Sequence, residues 1–140
     1  MSISAQDHIE IQRLMYRYAR CADRKDYAGF AEVFCDDAVF DYSGTEVISL
    51  PAIQQMMHAL DKYLRTLHQV HNTLYEVDGD AASGETYCIA SHLRNQGERV
   101  EKLEMGICYQ DRLRRMHGGW RIEYRKFDLL WVQSTFVDGM

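Results

Sequence analysis

The sequence predicts an α+β domain: about three N-terminal helices packed on a cone-shaped, curved antiparallel sheet, with an apolar pocket enclosed between them. Three observations carry this. Apolar residues recur at helical spacing over the first 60 or so positions and then give way to long stretches rich in Val, Ile, Tyr and Thr. Gly-containing turn signals divide those stretches into hairpins, and hairpins join antiparallel neighbours. At 140 residues, 46% of them hydrophobic, the chain holds one well-buried core, so residues 1–140 form a single domain.

Ser4 with Asp7 three residues later resembles a capping box. Ile11, Leu14, Met15, Tyr18 and Ala22 then mark a first helix over about residues 5–22. Asp26 is placed to cap a second, shorter helix whose apolar face is Tyr27, Phe30, Val33 and Phe34 and which ends before Asp36-Asp37. Ala38–Tyr42 reads as a short strand. Pro51, the single proline, fits the first turn of a third helix running to about Leu60. From about Leu67 to Val137 the chain reads as strands broken at Asp78-Gly79-Asp80, near Gln96-Gly97 and at His117-Gly118-Gly119. A curved sheet with helices on its concave side leaves a deep pocket suited to a small molecule.

Formal charge is −5, and the lysines and arginines are scattered along the sequence, which argues against nucleic acid or an anionic membrane as partner. No apolar run approaches the roughly 20 residues that span a bilayer, and the N-terminus has no apolar signal core, so the expected location is cytoplasmic. Cys21, Cys35, Cys88 and Cys108 lack CxxC spacing and are expected as free, buried thiols. No Gly-rich phosphate loop and no metal-ligand spacing is present, so neither a nucleotide cofactor nor a metal is expected.

Four stretches, YRYARCADRKDYAGFAEVFCDDAVF at 16–40, HQVHN at 68–72, YEVDGDAA at 75–82 and GICYQDRLRRMHGGWRIEYRK at 106–126, resemble the nuclear transport factor 2-like superfamily. Within it they are similar to the SnoaL-like group, which includes scytalone dehydratase, bile-acid 7α-dehydratase and a lindane dehydrochlorinase. The resemblance implies a dyad of Asp23 and His68, the histidine opening an H-x-x-x-N stretch that ends at Asn72. It also implies a site tyrosine at Tyr18 and a site arginine at Arg125. No clear counterpart of the second histidine or extra tyrosines of scytalone dehydratase stands out, and His92 and His58 carry no signal. A homodimer or homotrimer is implied as well.

As chemistry, an aspartate orients the imidazole and stabilises its charged form, while histidine titrates near neutrality and can take a proton from carbon beside a carbonyl. Tyr18 and Arg125 are of the right types to stabilise the resulting oxyanion. Strand alternation puts His68, Val70 and Asn72 on one face and His71 on the other. Arg125, Phe127, Leu129 and Trp131 share a face opposite to Trp120, Ile122 and Tyr124, which makes Phe127 and Trp131 candidate substrate contacts. The plainer alternatives are that Asp23 caps the next turn, that His68 is structural, and that Arg125 faces solvent or pairs across the sheet.

The expected function is a cofactor-independent lyase (dehydratase) or isomerase acting on an apolar, cyclic, oxygenated small molecule. The alternative is a non-catalytic ligand-binding or assembly module on the same fold. Epoxide hydrolysis ranks third, because Asp23 and Arg125 lack a third member for an Asp–Arg–Asp arrangement.

Overall fold

The structure, a computed structural model, describes residues 2–140. Helix α1 spans Ala5–Arg24; the Ser4 side chain accepts from the Asp7 amide at 3.0 Å and the left-handed Lys25 ends it. The reciprocal arm of the capping box is absent. The Asp7 carboxylate instead accepts from Arg115 at 2.9 Å and from the Trp120 indole at 3.1 Å, pinning the helix start to the far end of the sheet. Ile11, Leu14, Met15, Tyr18 and Ala22 face the core, and burying each large apolar side chain contributes about 1.5–3 kcal/mol. The opposite face gathers Arg13, Arg17, Arg20 and Arg24, so cations dispersed in the sequence line up at 4-3-4 spacing along one helix.

The second expected helix is a single 3₁₀ stretch, Ala28–Glu32, although Asp26 does cap it, accepting from the Gly29 amide at 3.1 Å. Strand β1 begins earlier than expected, covering Phe34–Tyr42, because Phe34 and Cys35 are already buried. It turns back through Ser43-Gly44, both at positive φ as a tight two-residue hairpin demands, into β2, Thr45–Ile48, which the sequence reading did not foresee. Helix α2, Leu50–Met57, carries Pro51 in its first turn and the Ser49 side chain as cap, and a 3₁₀ segment, His58–Lys62, extends it. Two α-helices and two 3₁₀ segments thus stand where about three helices were expected.

Strands β3 (Arg65–Asp78), β4 (Ala81–Gln96), β5 (Arg99–Met116) and β6 (Gly119–Val137) form the meander, in a six-stranded sheet of order β2-β1-β6-β5-β4-β3. The meander is antiparallel throughout, but β1 lies parallel to β6. No hairpin joins those two; the whole intervening chain serves as the crossover that a parallel pair requires. The helices cover the concave face, and the core between them contains Phe30, Phe34, Phe40, Ile53, Ile107, Leu113 and Ile122. All four cysteines are free and buried, and burial pushes the Cys88 thiol up to about 12. Among the described residues, no helix is long and apolar enough to cross a membrane.

Candidate active site

Asp23 occupies the last turn of α1, where the helix passes over β3. Its carboxylate is not a cap for the following turn. It accepts from the His68 ring Nδ1 at 2.6 Å, from the His68 amide at 3.0 Å and from Thr66 Oγ1 at 2.9 Å. Burial raises the Asp23 carboxyl, but the hydrogen bonds from the His68 ring and amide, the His68 charge and Thr66 together hold it below its ordinary value. An ionised Asp23 orients the ring with a proton on Nδ1, the tautomer that leaves Nε2 as the free acceptor. The two residues foreseen as a dyad are in contact, and the His68 side chain is only 7% exposed.

His68 forms part of the wall of a cavity of about 430 Å³ between the concave face of the sheet, α2 and the segment that follows it. That volume suits a drug-sized ligand. Phe40, Val47, Met56, Met105, Ile107 and Phe127 supply an apolar wall, and Tyr18, Tyr63, His92 and Tyr109 supply polar edges. His92 lies two residue-pairs along the ladder, opposite Thr66, with its ring centroid 5.8 Å from that of His68. Its Nδ1 lies 3.3 Å from the Leu103 carbonyl. Burial, and then the His68 charge, push the His92 imidazole down to about 4, so it is neutral at physiological pH. The cavity therefore does contain a second histidine and several tyrosines. Position in the sequence gave no sign of them; the signal lay in strand parity, because His92 alternates inward with Ala90 and Cys88, which are also buried.

Tyr18 lines the cavity, its ring edge-on to those of His68 at 6.5 Å and Tyr109 at 5.4 Å. Burial keeps both phenols protonated well beyond neutral pH, with the Arg125 cation partly offsetting the effect. Arg125 is neither a cavity residue nor a solvent-facing one. It is 1% exposed, its guanidinium 4.4 Å from the Tyr18 ring centroid and 4.0 Å from that of Tyr109. It donates twice to Asp111, at 2.8 and 2.7 Å. Tyr75 donates to the same carboxylate at 2.6 Å, and its hydroxyl lies 2.9 Å from Thr86. This ion pair would supply the missing member of an Asp–Arg–Asp set, yet Asp23 is committed to His68 and the pair is sealed behind the tyrosines.

Three β-bulges account for the face assignments that failed. In β3, His71 and Asn72 together stand opposite Tyr87 alone, so both are exposed and Asn72 is outside the cavity. In β6, Glu123 is an extra residue, which turns both Ile122 and Arg125 inward. A further extra residue, Leu130, puts Trp131 against Gly106 on the side away from the cavity, 42% exposed. Phe127, between those two bulges, is the substrate-contact candidate that does line the cavity. A larger open groove of about 530 Å³ crosses the sheet's other face between Glu76, Glu85, Arg112 and Lys126. Among the described residues no three His, Cys, Asp or Glu side chains converge as metal ligands would.

A profile of the SnoaL-like domain matches residues 4–126. An uncharacterized protein of Mycobacterium tuberculosis strain H37Rv is 32% identical over 119 residues, covering 83% of this chain and 80% of its own. The solved structure of a second M. tuberculosis protein, described as of unknown function, superposes with a TM-score of 0.77 at 31% identity, covering 86% of this chain and 70% of that one. A hexachlorocyclohexane dehydrochlorinase has the same fold at a TM-score of 0.77 and 17% identity, over 98% of this chain and 95% of that one.

Proposed function

The chain belongs to the SnoaL-like domain family, and from that premise we propose that it is a cofactor-independent lyase of the dehydratase type, or an isomerase, acting on an apolar cyclic oxygenated molecule. The observation that carries this reading is the 2.6 Å contact between His68 Nδ1 and the Asp23 carboxylate, with the histidine facing a largely apolar cavity.

In the proposed reaction His68 Nε2 takes a proton from a carbon acidified by a neighbouring carbonyl, and Asp23 stabilises the imidazolium that forms. The electron pair left on carbon becomes the new double bond. In elimination, the bond from the adjacent carbon to its leaving oxygen breaks and that oxygen receives a proton. In isomerisation the proton returns to a different carbon. Tyr18 and Tyr109 are buried, protonated phenols able to donate to the enolate or departing oxygen. Arg125 serves this scheme as a positioning residue: stacked against both rings, it holds the two phenols in place and does not meet the substrate.

The test is turnover of a panel of cyclic β-hydroxy ketones, followed by growth of the conjugated-enone absorbance after dialysis against a chelator. His68→Ala is expected to lose about 10²–10⁴-fold, the span general-base catalysis covers, and Asp23→Asn to lose activity as well. His71→Ala, altered in the exposed bulge, is expected to match the unaltered protein. Turnover that survives His68→Ala, or that needs an added divalent ion, would sink the mechanism.

A further inference from the structure

Among the described residues, the cavity wall contains, beside the histidines, one cationic side chain, Lys62, and no aspartate or glutamate. Lys62 ends the 3₁₀ segment that follows α2 and stands at the mouth. Its sequence neighbour Asp61, the obvious partner, is turned away: it accepts from Tyr27 and lies 2.8 Å from His58 Nδ1. No carboxylate lies within ion-pair distance of Lys62 among the described residues. The backbone that presents it is pinned, because Lys25 donates to the Tyr63 carbonyl at 2.7 Å and the Tyr63 amide to Leu60 at 3.1 Å. Behind the ammonium, which lies 5.3 Å from the Tyr63 ring centroid, a file of rings leads inward: Tyr63 to His92 at 4.8 Å, then His92 to His68 at 5.8 Å. The Lys62 charge is felt at His92, where it helps to disfavour the imidazolium.

We infer that the ligand of this cavity is an organic anion, an apolar ring skeleton carrying an acidic oxyanion group, with the rings against the apolar wall and the acid group on Lys62 at the mouth. The inference rests on the proposed reading of the cavity as a substrate site and names the charge class of that substrate. A cationic ligand would meet an unopposed ammonium. A neutral one would leave the Lys62 charge at the mouth unused. An anion reaching Lys62 from outside keeps its ring system over the file of rings, with the far end directed to His68.

Two fluorescent probes that differ only in a sulfonate, 8-anilino-1-naphthalenesulfonate and N-phenyl-1-naphthylamine, isolate the charge. Neither is a candidate for turnover, so the titration reads recognition and not catalysis. The intact protein is expected to bind the sulfonate about fivefold tighter than the neutral probe at low salt, the most that a solvent-exposed ion pair supplies. Raising the ionic strength should shrink that preference. Lys62→Met should abolish it with the neutral probe's affinity unchanged, whereas Lys126→Met, which removes a cation from the outer groove, should retain it. Equal affinity for the two probes, or a sulfonate preference that persists in Lys62→Met because the anion sits elsewhere, for example on the arginine face of α1, overturns the inference. Activity on a neutral substrate alongside a failed titration would leave the dyad standing and remove only the anion.

Discussion

At the scale of single residues the site is organised by which atoms are already occupied. Asp23 spends its oxygens on three donors, His68 spends Nδ1 on Asp23, and Arg125 spends its guanidinium on Asp111, so Nε2 of His68 remains for a ligand beside the mutually bonded phenols of Tyr18 and Tyr109. His92 is the residue whose cost can be measured. It is 5% exposed and its imidazole is pushed from its ordinary 6.5 down to about 4. Above 6.5 both folded and unfolded chains hold it neutral and it contributes nothing to pH dependence. As the pH falls through 6.5 the unfolded chain takes up the proton and the folded chain does not, so stability declines until the pH reaches about 4. The loss over that window is about 3 kcal/mol. Asp23 and the other carboxylates held low add their losses only at more acid pH. His92→Phe is therefore expected to flatten the stability profile between pH 7 and pH 4.5, measured by urea midpoints at the two values. An unchanged profile would mean that His92 is protonated in the folded state. Asp23 and His68 were legible because their spacing matches a family pattern. His92 was not, because a lone histidine in a strand looks the same whether it faces a cavity or packs structurally.

At the scale of elements, hairpin boundaries and the first helix were legible because turn chemistry and a 3.6-residue period are local properties. What failed was anything decided across strands. Parity along β3 and β6 was read as continuous, and each bulge reverses it: Asn72 and Trp131 leave the cavity, while Ile122 and Arg125 come to the same side. The second helix failed for a different reason. Tyr27 to Phe34 has an apolar face, but Phe34 and Cys35 are claimed by β1 and leave too few residues for α-helical turns. Strand pairing also explains Gly84, which sits opposite Tyr75 where β3 and β4 approach closely. A Cβ there would stand 2.1 Å from the Leu74 carbonyl and 2.6 Å from both the Tyr75 backbone and its ring. Backbone cannot step aside, and Tyr75 carries the hydrogen bonds to Asp111 and Thr86. Gly84→Ala is expected to cost about 1–3 kcal/mol in denaturant unfolding, the usual toll of overpacking. Gly44→Ala serves as the comparison, since its φ of 89° strains an alanine while nothing lies near its Cβ. A Gly84→Ala protein no less stable than the Gly44→Ala protein would show that the strands can separate without loss.

At the scale of the whole molecule the outstanding feature is the far end of β6. β1 pairs with β6 only as far as Phe127, so beyond it one edge of the longest strand has no partner among the described residues. That stretch carries Leu129, Leu130, Trp131, Val132 and Phe136, each between 41% and 50% exposed. An unpaired edge and a contiguous apolar patch are each a liability in water, and natural chains cover them. The charged residues that guard an exposed edge are missing from 129–137, and the bulge at Leu130 is what turns Trp131 outward instead of into the cavity. These features fit a homodimer or homotrimer in which the β6 arms cover one another. Light scattering at micromolar concentration is expected to give a mass of two or three chains of 16.4 kDa. Trp131→Glu should lower it toward one chain by placing a carboxylate inside the contact, where an unpaired charge is costly. The cavity lies on the other side of Gly106 from Trp131, so the monomeric variant should retain its affinity for the naphthalene probes. A monomer mass for the unaltered protein would mean that the arm stands free in solution, and a Trp131→Glu oligomer would mean that the contact lies on another face.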